Sequence, residues 1–355
     1  MYSPIVQGLG PSTDSGAAGW SGDFIDGTEH GPAVAASVAE RALELRAGAQ
    51  PSRASRGSRV AAVFLNPSLR TRTSLVAACD ALGIHSTVLN PGSDMWKLEL
   101  KPGAVMDGDA AEHVQDAVGV LAQMHDAIAV RAFASLNDRL ADLRDDTLSA
   151  FRAASSVPVI NLESALYHPM QGLADLATWR GHLGPNLTKR RVTITWAPHP
   201  KALPAAVANQ ALLSAAQQGM EVTVAHPEGF DLEPAVLNRA HVFARAAGGA
   251  VRVTHDRDEA LRGAEVVYAK SWSGVPGYTD RQTEAKRRSE LSHWQVTADD
   301  MAKTADAGFM HCLPVRRNVV VSDAVMDGAN SWVQETAGLR LWTAMAFLER
   351  FFRGM

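Results

Sequence analysis

Features that would assign the chain to a specialised class of protein are scarce in its sequence. Only two of the 355 residues are cysteines, Cys79 and Cys312, which excludes a disulfide-stabilised scaffold and a zinc site built from cysteines. No apolar segment approaches the roughly 18 residues that a membrane-spanning helix requires. The 34 basic and 38 acidic residues leave a net charge of −4, so bulk charge does not favour nucleic acid. We expect no nucleic-acid partner and no membrane association.

The first residues also lack the pattern of a secretory signal, which is a basic segment followed by an apolar one. Glycine and serine are frequent there, and we predict a flexible N-terminal tail over residues 1–30. With 46% hydrophobic residues, the chain has enough apolar surface for the cores of two domains. We therefore expect a globular, cytoplasmic protein.

Short apolar segments that are typical of buried strands alternate with helical patterns along the chain. Strands are predicted at residues 59–65, 86–89, 127–130, 157–161, 192–196, 221–225, 251–254 and 265–269. A loop is predicted at 90–105 and a helix from about 110 to 123. Strands that alternate with helices indicate parallel sheets covered on both faces. We predict an α/β fold with two doubly wound domains, at 31–165 and 166–332, and a C-terminal helix, 333–355, that packs on the first domain.

A polar segment follows the first predicted strand and precedes a helix. Ser68, Thr71 and Thr73 offer hydroxyl groups, and the Arg70 guanidinium can bind two phosphate oxygens. A helix start adds free backbone N–H groups, and open α/β sheets bind ligands at the carboxyl ends of their strands. The sequence lacks the glycine motifs of nucleoside triphosphate and dinucleotide sites. The segment therefore predicts a site for a smaller phosphate, or else only a capped helix with solvated arginines.

Three motifs in one order resemble those of a known family. Ser68–Thr73 (Ser-Leu-Arg-Thr-Arg-Thr) resembles the carbamoyl-phosphate loop of the transcarbamylases, and His168–Gln171 (His-Pro-Met-Gln) resembles their His-Pro-x-Gln motif. His311–Pro314 (His-Cys-Leu-Pro) is similar to a third family motif. The chain is identified by this resemblance as a member of the aspartate/ornithine carbamoyltransferase family. The resemblance implies direct attack of an amine on carbamoyl phosphate, without a covalent intermediate, metal or cofactor.

Further segments resemble the branch that acts on N-acylated ornithine. The ornithine-specific enzymes carry a Ser-Met-Gly loop, and Tyr268–Trp272 stands in its place. Trp96, residues 106–108 and residues 130–133 are also similar to the acylornithine branch.

Within that branch, three positions resemble the enzymes that act on N-succinylornithine. Pro204 stands where the N-acetylornithine type has asparagine, and Val320 where it has a lysine that is carboxylated. Ala111 aligns with a glutamate that selects the acyl group in the acetyl type. A glutamate at that position would repel a succinyl carboxylate, and alanine removes both the charge and the bulk.

The resemblance also implies the residues of the site. For carbamoyl phosphate they are Ser68, the backbone of Leu69, Arg70, Thr71, Trp96 from a neighbouring subunit, Arg131, His168, Gln171, the backbone carbonyls of Cys312 and Leu313, and Arg340. The implied catalytic residues are Thr71, Arg131, His168 and Gln171. Leu339 replaces the asparagine that usually precedes this arginine, so the anchoring of Arg340 departs from the family pattern.

For the acylated amine, the implied residues are Glu163 near the amine, Lys270 and Arg316 near the two carboxylates, and Pro204 and Ala111 near the acyl group. Without the resemblance, His168 would be a helix cap, Cys312 a small buried apolar residue, and Lys270 and Arg316 solvated surface residues. The remaining histidines lack the spacing of metal ligands, so no metal is expected.

The leading hypothesis is a carbamoyltransferase that converts N-succinylornithine to N-succinylcitrulline for arginine synthesis. The alternatives are an enzyme for N-acetylornithine or another acylated amine, and a non-catalytic relative that binds carbamoyl phosphate. The resemblance further implies a homotrimer with active sites at the subunit interfaces.

Overall fold

The computed structural model describes residues 22–53 and 55–354. Its elements are α1 (Gly31–Arg46), β1 (Arg59–Phe64), α2 (Arg70–Leu82), β2 (His85–Leu89), β3 (Leu98–Glu99), β4 (Glu112–His113), α3 (Val114–Met124), β5 (Ala127–Arg131), α4 (Arg139–Leu143), α5 (Asp146–Ala154), β6 (Val159–Glu163), α6 (Pro169–Leu183), β7 (Arg191–Trp196), α7 (Ala206–Gln217), β8 (Glu221–Ala225), α8 (Pro234–Ala246), β9 (Ala250–Thr254), α9 (Arg257–Leu261), β10 (Val266–Lys270), α10 (Pro276–Thr279), α11 (Arg281–Glu290), α12 (Ala298–Met301), β11 (Gly308–Met310), α13 (Asp323–Met326) and α14 (Val333–Phe351). Two short 3-10 turns lie at Ser292–Trp294 and Phe352–Gly354.

Four parallel strands form the first sheet, in the order β2–β1–β5–β6. The register aligns Val60 of β1 with Ser86 of β2 and with Ala127 of β5. The central strands are buried almost throughout, because helices cover both faces of a parallel sheet and both faces must then be apolar.

Five parallel strands form the second sheet, in the order β11–β10–β7–β8–β9. Its central strand, β7, pairs Val192 with Val266 of β10 and with Val222 of β8. The two helix-covered parallel sheets confirm the predicted α/β fold. None of the helices within the described ranges is both long enough and apolar enough to cross a membrane.

The last helix, α14, leaves the second sheet and packs against α1, α2 and α6. Phe347 and Phe351 of this helix are buried in the same core as strand β1. This packing carries Leu339 and Arg340 into the interior of the molecule, where both are almost fully buried.

Residues 91–113, called the flap below, differ from the loop and helix start that the sequence predicts. Within the flap, β3 and β4 pair Leu98 with Glu112. Helix α3 begins at Val114 rather than near residue 110, because strand pairing takes up residues 112 and 113. The His113 ring then accepts a hydrogen bond from the Gln115 N–H and caps the helix.

A second difference concerns the N-terminal tail. Residues 1–21 of that predicted tail lie outside the described residues, but residues 23–29 pack against the first sheet. Phe24 is 1% exposed, and its ring centroid lies 4.3 Å from that of Phe347. Asp26 forms an ion pair with Arg239 of α8 at 2.7 Å. Residues 23–29 thus contact the rest of the protein through a buried aromatic side chain and an ion pair, whereas the prediction is of a flexible tail up to residue 30.

We expect Phe24→Ala to lower the free energy of unfolding by about 3–5 kcal/mol, because it removes a ring from a closed core. Chemical denaturation measures this change. The matched control is Val242→Ala on α8, where the side chain is 54% exposed and the expected change is within about 0.5 kcal/mol. Equal effects of the two substitutions would contradict the packing of Phe24.

Candidate active site

The carboxyl ends of both sheets face one cavity of about 190 Å³. Arg131, Glu163 and Lys270 are the last residues of β5, β6 and β10. Parallel strands bring such terminal residues together at one edge of a sheet. The cavity is lined by Ser68, Arg70, Thr71, Arg131, Phe133, Glu163, His168, His199, Leu203, Pro204, Val207, Lys270, Cys312, Leu313, Pro314 and Arg340. Most of the residues that the sequence predicts for the site are therefore brought together.

The polar segment after β1 forms the N-terminal turn of α2. Ser68 Oγ accepts a hydrogen bond from the Thr71 N–H at 3.2 Å, and Leu69 is the N-cap residue. The Leu69 side chain is 72% exposed, and Leu69 is not among the residues that line the cavity. The Arg70 guanidinium lines the cavity, and burial lowers its pKa. The free N–H groups of this helix start and Arg70 together suit an anion.

Arg131 links the end of strand β6 to the start of helix α2. Its Nη1 donates to Glu163 Oε2 at 2.5 Å and to Thr71 Oγ1 at 3.2 Å. Burial raises the pKa of Glu163, while the charge of Arg131 opposes this shift. Arg131 also lies over the Phe133 ring, 4.6 Å from its centroid. A cation held in this way is a fixed donor for a developing negative charge.

His168 stands at the N-cap position of α6, but its side chain does not cap the helix. Its Nε2 lies 3.2 Å from Glu163 Oε2. Burial lowers the pKa of His168 well below 6.5, and the charges of Arg340 and Arg131 lower it further. The imidazole is therefore neutral near pH 7, and one of its nitrogens remains a hydrogen-bond donor.

Arg340 reaches the cavity from α14. Its Nη1 donates to Gln171 Oε1 at 2.6 Å, and its Nη2 donates to Thr71 Oγ1 at 2.8 Å. Burial lowers the pKa of Arg340 to about 10, so the side chain is still charged near pH 7. Thr71 Oγ1 also accepts from Arg131, which occupies both lone pairs and leaves its O–H free to donate.

Gln171, which the sequence places at the carbamoyl group, lies behind the wall of the cavity. It is 1% exposed and is not among the lining residues. Its contact with the site is the hydrogen bond to Arg340. This bond shows how Arg340 is anchored although Leu339, a buried core residue, replaces the usual asparagine.

The motif at residues 311–314 forms a sharp turn at the edge of the cavity. Leu313 has a φ of 56°, and its N–H donates to His311 Nδ1 at 2.9 Å. Because Nδ1 accepts this bond, it carries no proton, and burial lowers the pKa of His311 well below 6.5. Burial also raises the pKa of the Cys312 thiol, so the structure gives no support for a thiolate nucleophile.

The outer end of the cavity is basic. Lys270 lines it, and His199 lines it beside Pro204. Arg316 is exposed at the rim, where its Nε lies 3.2 Å from His199 Nε2. Burial lowers the pKa of His199, and the charges of Lys270 and Arg316 add to this effect. His199, which sequence reasoning missed as a site residue, thus holds Arg316 at the entrance.

Two predicted site residues, Trp96 and Ala111, lie away from the cavity, and so does Val320, one of the positions that resemble the succinyl type. Trp96 is 68% exposed on the flap, and Ala111 is exposed on the same flap. Val320 is 1% exposed, and its N–H donates to the Arg316 carbonyl at 2.9 Å, so it supports the turn that carries Arg316. In residues 22–53 and 55–354, no group of three His, Cys, Asp or Glu side chains is placed to hold a metal ion.

Comparisons with known proteins agree with this geometry. A family profile described as "Aspartate/ornithine carbamoyltransferase, carbamoyl-P binding domain" matches residues 23–181, and one described as "Aspartate/ornithine carbamoyltransferase, Asp/Orn binding domain" matches residues 204–351. N-acetylornithine carbamoyltransferase from Xanthomonas campestris pv. campestris is 41% identical over 295 residues, which cover 82% of this chain and 87% of the relative. N-succinylornithine carbamoyltransferase from Bacteroides thetaiotaomicron is 37% identical over 293 residues, with 82% and 87% covered.

Solved structures give the same result. A crystal structure of acetylornithine transcarbamylase with acetylcitrulline has a TM-score of 0.89 and 38% identity, and covers 92% of this chain and 98% of its own. A crystal structure of an N-acetyl-L-ornithine transcarbamylase mutant with alanine in place of a glutamate, in complex with carbamyl phosphate and N-succinyl-L-norvaline, matches with the same values. With both sheets, the cavity and the sequence in agreement, the chain belongs to the aspartate/ornithine carbamoyltransferase family, in its branch of acylornithine carbamoyltransferases.

Proposed function

We propose that this enzyme transfers the carbamoyl group of carbamoyl phosphate to the δ-amino group of N-succinylornithine, giving N-succinylcitrulline and phosphate. The observation that carries the proposal is the charge of the cavity. Four basic side chains, Arg70, Arg131, Lys270 and Arg340, line it against the single carboxylate of Glu163. Arg316 adds a further positive charge at the rim through His199.

This excess of positive charge suits a substrate pair with several anionic groups. Carbamoyl phosphate binds at the start of α2 beside Arg70, and the two carboxylates of N-succinylornithine face Lys270 and Arg316. An opposite charge about 4 Å away contributes on the order of 4 kcal/mol at an effective dielectric constant near 20, before the cost of desolvation. N-acetylornithine has only one carboxylate and would leave one of these cations without a partner.

The substitution at Ala111 supports the same substrate. In the mutant structure described above, alanine replaces a glutamate and the bound ligand carries a succinyl group. Ala111 offers the same lack of charge here. Pro204 lines the cavity, and Val320 is a buried apolar residue where a carboxylated lysine would add negative charge. Ala111 and Val320 thus lack negative charges that would repel a second carboxylate.

The chemistry follows from the placement of donors and acceptors. Thr71 O–H, Arg131 and neutral His168 polarise the carbamoyl oxygen as it gains negative charge. The substrate ammonium has a pKa near 10 in water, and the basic lining favours its neutral form. The amine nitrogen then bonds to the carbamoyl carbon and passes a proton to the Glu163 carboxylate. The bond to the phosphate oxygen breaks, and the leaving phosphate keeps the electron pair beside Ser68 and Arg70.

N-acetylornithine is the second candidate substrate, because the Xanthomonas relative of that name is 41% identical, against 37% for the Bacteroides succinyl enzyme. The homotrimer, the cytoplasmic location and the role in arginine synthesis belong to the same proposal. The exposure of Trp96 supports shared sites, because a large aromatic side chain on a projecting flap can reach the cavity of a neighbouring subunit.

We expect kcat/KM for N-succinylornithine to exceed that for N-acetylornithine by about tenfold or more, because only N-succinylornithine has a carboxylate for each of Lys270 and Arg316. Steady-state kinetics with both substrates and free ornithine measure the ratio.

Ala111→Glu should lower kcat/KM for N-succinylornithine by at least about tenfold and affect kcat/KM for N-acetylornithine less. Ala111→Gln is the matched control, with the same bulk and no charge. Equal or faster turnover of N-acetylornithine would contradict N-succinylornithine as the preferred substrate. Unchanged kinetics with N-succinylornithine in Ala111→Glu would contradict the role of Ala111.

We expect kcat/KM to rise with pH between about 6 and 9, because the substrate amine loses its proton over that range and above. His168 should not contribute to this slope, because its pKa lies well below 6.5 and the ring is already neutral. His168→Asn should therefore lower the rate while the shape of the profile stays the same. A slope that disappears in His168→Asn would show that the imidazole titrates in this range.

We expect trimers formed from an equal mixture of Trp96→Ala and Arg70→Ala subunits to recover about a quarter of wild-type activity. Random mixing gives that fraction of sites an intact Arg70 from one subunit and an intact Trp96 from the next. A mixture of Arg70→Ala with Arg131→Ala is the control and should recover nothing, because both residues line the same cavity. No recovery in the first mixture would indicate self-contained sites.

A further inference from the structure

Asp175 is a carboxyl group buried in the middle of α6 that the mechanism above does not use. It is 0% exposed and does not line the cavity. The helix around it is buried from Pro169 to Trp179. A carboxyl group at such a position is costly to bury unless it is hydrogen-bonded, so its contacts indicate why an apolar residue does not stand there.

Asp175 begins a chain of hydrogen bonds that ends at the carbamoyl-phosphate loop. Gln171 lies four residues earlier on the same face of α6, and its Nε2 donates to Asp175 Oδ1 at 2.9 Å. Gln171 Oε1 accepts from Arg340 Nη1 at 2.6 Å, and Arg340 Nη2 donates to Thr71 Oγ1 at 2.8 Å. The chain thus links the interior of α6 to two residues that line the cavity.

The two ends of the Gln171 amide meet partners of opposite kind. An ionised carboxylate can only accept hydrogen bonds, and a guanidinium can only donate them. The amide therefore has one favourable orientation, with its NH₂ toward Asp175 and its oxygen toward Arg340. If the acceptor were lost, the buried NH₂ would have no partner, and a rotated amide would direct donors against donors at Arg340.

We propose that Asp175 is a positioning residue for carbamoyl phosphate: it fixes the amide of Gln171, whose oxygen holds the Arg340 guanidinium in the cavity. This inference rests on the proposed function, in which Arg340 binds carbamoyl phosphate.

The surroundings of Asp175 agree with this role. The buried hydroxyl of Tyr268, on β10, faces the Asp175 carboxyl group, and burial followed by the charge of Asp175 raises the pKa of this tyrosine. Burial raises the pKa of Asp175 to about 7, while the hydrogen bond from Gln171 opposes this shift. Asp175 can orient Gln171 in either protonation state, because a neutral carboxyl group also keeps an acceptor oxygen for the Gln171 NH₂.

The test compares Asp175→Leu, which removes the acceptor, with Asp175→Asn, which keeps an acceptor oxygen in the same shape. We expect Asp175→Leu to raise the KM for carbamoyl phosphate about tenfold and the KM for the acylornithine by less than about twofold. Asp175→Asn should raise the KM for carbamoyl phosphate by no more than about twofold, and thermal unfolding checks that both variants fold. If Asp175→Leu does not fold, Asp175→Ala takes its place as the variant that removes the acceptor, with the same expected result, and a rise of about tenfold with Asp175→Asn overturns the inference in either case.

A double-mutant cycle with Gln171→Met separates positioning from a general structural role. If Asp175 acts through Gln171, then Asp175→Leu adds nothing to the KM of Gln171→Met. Additive effects, or equal effects of Asp175→Leu and Asp175→Asn, would overturn the inference. A failure of the proposed function looks different: the wild-type enzyme would bind carbamoyl phosphate in calorimetry without transfer to any acylornithine, while the cycle could still be measured by that binding.

Discussion

The ion pair between Arg131 and Glu163 is the interaction on which the rest of the site depends. The two residues end neighbouring strands and face each other because the register shifts between Val130 and Arg131, so the pairing of β5 with β6 places a cation beside a carboxylate inside the protein. Arg131 then holds Thr71, and Glu163 holds His168. Removing either member of a buried pair leaves an unpaired charge, which destabilises far more than the pair itself contributes. The polar groups that we propose face the carbamoyl carbon are therefore oriented together by one contact between two strand ends.

The α/β fold could be predicted from the sequence because central parallel strands are buried on both faces and so appear as short, continuous apolar segments. The elements that were missed or misplaced lack that signal. Strand β11 has only three residues, and β3 and β4 have two each, which is too short for any periodicity. Phe24 lies in a segment rich in small and polar residues, and its burial depends on Phe347, more than three hundred residues away in the chain. A local pattern cannot contain such a contact.

The candidate site could be predicted in part, but on different grounds. Arg131, Glu163 and Lys270 end strands, yet the resemblance to the family, and not the strand pattern, is what assigns them to the site. The hydrogen bond from Arg316 to His199 joins residues 117 positions apart, and the bond from Arg340 to Thr71 joins residues 269 apart. These contacts arise from the packing of α14 against α2 and from the approach of the segment after β11 to the segment after β7. For Trp96 and Ala111 the resemblance implies a role in the site, but the fold of a single chain does not bring either residue to the cavity.

The concentration of like charge in the cavity connects ligand binding to stability. Arg131 and Arg340 are almost fully buried, and the burial and mutual repulsion of these two cations are what lower the pKa of Arg340 to about 10. Glu163 offsets only part of this repulsion. A ligand that carries two negative charges on its phosphate relieves the remainder, and any ligand that binds only the folded state stabilises that state according to its concentration. The buried cations that would favour the proposed anionic substrates therefore also make the protein without a ligand less stable than an apolar core of the same size would.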